Sequence, residues 1–218
     1  MKTNLYIVNE IAPFKTTTVV GDAQTLFNEL TYTHFPVLHE NIYIGCVSEA
    51  DIRCFDVEKT LEHYRYATEG FYARNDANWL DTLESFAQNN TNIMPVLDDD
   101  NTYQGFFELR DIMNMFNQTP FLGEPGNILI VEKGISDYSF SEVAQIVESN
   151  NAKLLGVFIS NIENDVAQIT LKINDSDINN IVQTFRRYSY NIISKHQEDS
   201  FLNNLKERSL YLEKYLNI

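Results

Sequence analysis

A block of about 60 residues occurs twice in the first half of this chain, and a repeat of that length restricts the folds open to it. The stretch His34-Phe35-Pro36-Val37-Leu38 returns as Ile93-Met94-Pro95-Val96-Leu97. A polar turn, an apolar strand and a glycine follow each copy, Gly45 in the first and Gly105 in the second. Six residues past each glycine stands an aspartate followed by isoleucine, Asp51-Ile52 and Asp111-Ile112. Glycines and aspartates are offset by 60 and the prolines by 59, because the turn Asp98-Asp99-Asp100-Asn101-Thr102 is one residue longer.

Each copy predicts the same order of elements. A helix comes first, with Asp22 capping Ala23–Leu30 and Asp76 capping the stretch through Trp79, Leu83 and Phe86. The Pro-Val-Leu strand follows, and proline at a strand start sacrifices no ladder donor. A second strand is expected over Ile42–Val47 and Tyr103–Phe107, then a helix opening near Glu49 or Leu109. One such unit cannot bury both faces of its sheet, so the two copies are expected to pack together around a shared core.

The string from proline through Gly-x-x-x-x-x-Asp, twice in register, resembles a pair of CBS repeats over roughly residues 5–120, divided as 1–60 and 61–118. The resemblance implies a cytoplasmic regulatory protein rather than an enzyme. It also implies an adenosine-type ligand, such as AMP, another adenosine nucleotide, adenosine or S-adenosylmethionine, and a homodimer formed through the helices of the pair. Members that bind adenosine compounds end the second strand in Gly-h-x-Ser/Thr-x-x-Asp, with h apolar. The first copy fits, as Gly45-Cys46-Val47-Ser48-Glu49-Ala50-Asp51. A hydroxyl and a carboxylate three residues apart at a helix mouth can converge on a ribose diol, and a helix start favours a nearby phosphate. The same spacing also serves a helix cap, with Ser48 as N-cap and Asp51 at the third helical position. The second copy departs, as Gly105-Phe106-Phe107-Glu108-Leu109-Arg110-Asp111. Glu108 replaces the hydroxyl and repels phosphate, so that site is either remodelled or empty, although Asp111 survives. Family members that hold phosphates place basic residues two or three before the Pro-Val. Thr33 and His34 stand there in the first copy, and Asn92 and Ile93 in the second. His34, Arg53 and Arg110 are therefore the available cations. So few favour a nucleoside, a monophosphate or an adenosyl sulfonium over a metal-free triphosphate.

The charge agrees with that scarcity. Of a formal −15, residues 1–125 carry most, with 7 Lys and Arg against 19 Asp and Glu; residues 126–218 hold 9 against 12. Such a surface repels phosphate backbones and anionic lipid, so neither nucleic acid nor membrane is an expected partner. The first residues do not resemble a secretory signal, and no run reaches the roughly 18 apolar residues that span a bilayer. Cys46 and Cys54 cannot build a disulfide framework. His34, His39, His63 and His196 lack metal-ligand spacing, and Asp98-Asp99-Asp100-Asn101 lacks the glycine and glutamate of a calcium loop. No metal site and no catalytic motif is expected.

Residues 119–127, with Pro120, Gly123, Pro125 and Gly126, read as a linker. Strands over Ile128–Glu132, Leu154–Ile159, Ala167–Ile173 and Tyr190–Ser194 alternate with helices capped by Ser139 or Ser141 and by Asp175 or Asp177. That β-α-β-β-α-β order over residues 128–197 is ferredoxin-like. It resembles an ACT domain, an amino-acid sensing module, and the expected fold class is therefore α/β (α+β). Residues 198–218 read as a C-terminal helix with Leu202, Leu205, Leu212 and Leu216 on one near-heptad stripe, interrupted by Ser209. Two other functions stay open: a structural dimer with vacant CBS sites, and an amino-acid sensor acting through the second domain.

Overall fold

Each repeat builds one three-stranded sheet, and the two sheets are assembled in the same way. In the first, β1 (Phe14–Lys15) runs parallel to β2 (His34–His39), which turns back antiparallel into β3 (Ile42–Ser48). Helix α1 (Val20–Glu29) lies between β1 and β2, and α2 (Glu49–Cys54) follows β3 directly. The second repeat uses β4 (Ala73–Arg74), α3 (Trp79–Gln88), β5 (Ile93–Leu97), β6 (Tyr103–Glu108) and α4 (Leu109–Asn117) identically. Val37 pairs with Gly45 and Val96 with Gly105, and each register shifts immediately afterwards. This computed structural model describes residues 3–174 and 177–194 and divides into two units after Phe116.

The hairpin turns account for the offset. Glu40 and Asn41 both adopt positive φ, as a tight two-residue hairpin requires. In the longer turn the Asp98 carboxylate accepts the backbone N–H groups of Asp100 and Thr102, and Asn101 takes the left-handed position.

Two helix starts differ from expectation. Helix α1 begins at Val20 and has no side-chain cap; Asp22 lies within its first turn. The carbonyls of Lys59 and Val57 accept the N–H groups of Val20 and Gly21, which leaves a side-chain cap little to do. Helix α3 is capped by Asn78, whose side chain accepts the Leu80 N–H; Asp76 stands too far upstream.

The cores of the repeats exchange residues. Ile93 and Phe106, from the second repeat, are buried with Phe14, Phe27, Phe35 and Val47 of the first. Cys46 is in turn buried with Phe71, Phe86, Met94 and Phe107 of the second. Full burial of a side chain such as Phe106 is worth about 2–3 kcal/mol, so neither sheet is complete without the other.

The backbones cross over as well. Val8 exchanges two hydrogen bonds with Phe106 on β6, and Glu69 exchanges two with Cys46 on β3. These crossings explain both repeat glycines. A Cβ on Gly105 would collide with the Val8 carbonyl, and one on Gly45 would stand 2.9 Å from the Glu69 carbonyl; each has φ +135°.

The second unit carries the β-α-β-β-α-β order: β7 (Gly126–Gly134), α6 (Phe140–Ser149), β8 (Leu154–Glu163), β9 (Val166–Asn174), α7 (Ile178–Arg187) and β10 (Asn191–Ile192). The sheet order β10-β7-β9-β8, with every paired strand antiparallel, is ferredoxin-like. On β9, Ile169, Leu171 and Ile173 are buried with Val143, Ile146 and Val147 of α6 and Ile181, Val182 and Phe185 of α7. Ser139 and Asp177 cap the two helices. Within the stretch read as a linker, Pro120–Gly123 form one helical turn, α5, opened by a proline whose missing N–H is not needed there. The last strand is shorter than expected. Tyr190 instead turns inward, donating its hydroxyl to the Glu142 carboxylate that also holds Lys133. The C-terminal helix, His196 and Asp175 lie outside the described residues. Among those described, no helix is long and apolar enough to cross a membrane, and no cluster of metal-ligating side chains occurs.

Candidate functional site

At the end of β3 the chain passes from strand to helix at Ser48. The Ser48 hydroxyl accepts the Asp51 N–H at 3.0 Å and donates to the Asp51 carboxylate at 2.8 Å. Ser48 is buried and Asp51 partly exposed. The two groups do converge, and they also complete a helix cap by themselves.

Helix α2 has only six residues, the Thr33 carbonyl accepts the Glu49 N–H at 2.8 Å, and Ser48 takes that of Asp51. Two of the N–H groups at this helix start are therefore already engaged.

His34 pairs with Ser48 across the sheet, and Glu69 pairs with Cys46 two residues earlier on β3. Paired residues share a face and side chains alternate along a strand, so His34, Cys46, Ser48 and Glu69 all point to one side. There, His34 Nε2 lies 3.5 Å from Glu69, and its Nδ1 lies 3.0 Å from the Thr33 hydroxyl. Its ring stands edge-on to Phe71 at 5.5 Å. Burial pushes the Cys46 thiol well above its ordinary pKa, so it behaves as a small apolar residue.

Thr33 works at the seam between the repeats. Its N–H and hydroxyl both meet the side chain of Asn92, its counterpart 59 residues on, and Asn92 donates to the Thr31 carbonyl at 2.6 Å. Gly45 contributes by letting the crossing strand approach.

The second repeat differs at each comparable place. The Glu108 carboxylate accepts the Tyr32 hydroxyl at 2.6 Å and Arg110 at 3.2 Å. The Tyr32 ring stacks on Phe35 and meets Phe106 edge-on. Burial, followed by the hydrogen bond to Glu108, raises the Tyr32 pKa. Ile93, fully buried, stands where the first repeat has His34. Asp111 lies in the first turn of α4 without the hydroxyl that Ser48 gives Asp51. Arg53 and Arg110 are both committed to carboxylates, of Glu49 and Glu108.

Clefts also lie on the helical faces. One of about 460 Å³ lies between α3 and α4, walled by Leu83, Phe86, Leu109 and Met113 and bordered by the seam residues Thr33 and Asn92. Its counterpart between α1 and α2 is about 130 Å³, and there Gln24 donates to the Ile52 carbonyl.

Sequence reasoning missed Glu69, Phe71 and Tyr32. The first two arrive on a crossing strand that no local pattern announces. The signal for Tyr32 is its place beside Thr33, opposite a carboxylate in the register of the repeat.

Residues 67–117 match the family model of the CBS domain. Residues 14–54 reproduce the strand order, register and glycine of that match. The first unit is a tandem CBS pair.

Among solved structures, a CBS domain pair/ACT domain protein from Thermotoga maritima is 16% identical with a TM-score of 0.48, over 53% of this chain and 96% of that one. The CBS domains of a transcriptional regulator from Streptococcus pneumoniae are 18% identical with a TM-score of 0.47, over 52% and 98%. CBSX2, solved in complex with AMP, is 18% identical with a TM-score of 0.45, over 54% and 96%. No curated protein matches this chain. Within the CBS pair, then, Ser48 and Asp51 bond each other in the first repeat, and in the second Glu108 is bonded by Tyr32 of the first repeat and by Arg110.

Proposed function

We propose that this chain is a regulatory ligand sensor that binds one adenosine-type molecule, of the AMP, adenosine or S-adenosylmethionine class, at the first CBS repeat. The observation that carries the reading is the convergence of Ser48 and Asp51 on the face that also holds His34. A ribose diol can replace the Ser48 hydroxyl as donor to Asp51, leaving Ser48 to cap α2. The second site takes no ligand, because Tyr32 and Arg110 already satisfy Glu108.

Coupling is energetic. The ligand favours whichever arrangement of the protein binds it better, and it shifts the equilibrium only by that difference. The readout is a partner protein or a second copy of this chain. Leu80 on α3 and Met113 on α4 are exposed large apolar residues, which supports pairing of two copies through the helices. No catalytic step belongs to this reading, and the site is cytoplasmic.

A structural role is the second reading, favoured by the mutual bond of Ser48 and Asp51, which needs no ligand. Thermal unfolding decides between them. A ligand at about 100 times its dissociation constant adds roughly 2.7 kcal/mol of stability, a shift of several degrees. AMP, adenosine or S-adenosylmethionine should raise the midpoint of the wild type and leave Asp51→Ala unmoved. Absence of any shift in the wild type favours the scaffold.

A further inference from the structure

Glu69 places a carboxylate on the face that carries Ser48 and His34, and we infer that the first site selects an adenosine compound whose 5′ substituent is neutral or cationic rather than phosphorylated. This rests on the reading of Ser48 and Asp51 as a ribose site.

The position of Glu69 is fixed by its backbone. Its N–H donates to the Cys46 carbonyl at 2.7 Å and its carbonyl accepts the Cys46 N–H at 2.8 Å. Gly45, lacking a side chain, lets this strand lie close against β3. The carboxylate therefore stays on the Ser48 and His34 face, with its side chain 48% exposed.

His34, Arg53 and Arg65 already have carboxylate partners. His34, which can carry a positive charge, already lies 3.5 Å from Glu69. Arg53 is bound to Glu49 at 2.6 Å, and Arg65 to Glu62 at 3.2 Å. Asp51 adds a second carboxylate, drawn in by Ser48. A phosphate monoester at this face would meet the carboxylates of Asp51 and Glu69, while His34, Arg53 and Arg65 are already held by carboxylates, and like charges so placed oppose binding. A neutral hydroxymethyl group meets no such repulsion, and a sulfonium gains from the same carboxylate.

Calorimetric titration of the full chain with adenosine and with AMP, without divalent metal, tests this. Adenosine should bind about tenfold more tightly than AMP to the wild type, and Glu69→Gln should bring the two within about threefold. Glu69→Lys, whose side chain leaves the same backbone pairing available, should reverse the order. AMP binding as tightly as adenosine to the wild type overturns the inference. So does a preference that neither variant changes, which would leave the ribose reading standing. Failure of both compounds to bind the wild type removes the ribose reading, and the role of Glu69 with it.

Discussion

The two CBS repeats have the same frame and different contents. Pairing register, post-valine irregularity, positive-φ glycine and helix-opening aspartate coincide from one copy to the other. What differs is a handful of side chains: Ser48 against Glu108, His34 against Ile93, Cys46 against Phe106, Tyr32 against Thr91. Tyr32 reaches across to the second repeat's carboxylate, whereas Thr91 is short and donates its hydroxyl to the nearby Ile93 carbonyl. Hence the carboxylate of Glu108 is held from the other repeat, and that of Asp51 from within its own. Backbone requirements preserve symmetry because every copy must fold. Side chains at the seam are free to break it, because each is needed only once.

The largest expected effect breaks the frame itself. Alanine at Gly105 puts a Cβ onto the Val8 carbonyl and within 2.7 Å of the Ile7 side chain, at φ +135°. Overpacking and backbone strain together should cost about 3–5 kcal/mol. Gly45→Ala meets a looser crossing, with the Glu69 carbonyl at 2.9 Å and Thr68 at 3.0 Å, and should cost about 1–3 kcal/mol. Urea unfolding of both variants measures the difference. Equal losses would mean that the two crossings are equivalent and that the asymmetry lies in side chains alone.

Asp51 and Asp111 sharpen the comparison at the level of the ligand. Asp51→Ala should erase the stabilisation by an adenosine compound, about 2.7 kcal/mol at a hundredfold excess over the dissociation constant. Asp111→Ala should leave it in place. Differential scanning fluorimetry of the two variants reads this directly, and a loss in both would assign ligand to the second repeat as well.

Much of this frame is legible in the order of residues alone. Pattern and offset carry the sheets, the hairpins and the Ser48 cap, because those rest on neighbours in sequence and on backbone demands that only glycine or proline meets. The ferredoxin-like order is legible for the same reason, through alternation on β9 and capping at Ser139 and Asp177. The parts that are not legible are contacts between distant segments. Glu69 reaches the first site by a strand crossing, and Tyr32 reaches the second across the seam, 76 residues from Glu108. Helix starts at Val20 and Trp79 escape local pattern because remote carbonyls, or a nearer asparagine, take over from the expected aspartates.

The smallest expected effect concerns the plug. Tyr32→Phe keeps the ring on Phe35 and Phe106 but removes the hydroxyl that donates to Glu108, whose side chain is 19% exposed. Arg110 still meets the other carboxylate oxygen, so the loss should be about 1 kcal/mol at neutral pH. The alkaline limb carries the sign. Tyr32 is held neutral in the folded protein above its ordinary value of 10.0, so its contribution is complete below pH 10 and fades as pH rises toward the folded value. The unfolded chain, having already released that proton, is favoured increasingly over this range. Tyr32→Phe should therefore lose stability less steeply than the wild type above pH 10, while Tyr43, Tyr103 and Tyr190, also raised by burial, keep part of the slope in both. Parallel alkaline slopes would show that Tyr32 titrates alike in folded and unfolded chains, and the second mouth would then be open to solvent rather than closed by its neighbour.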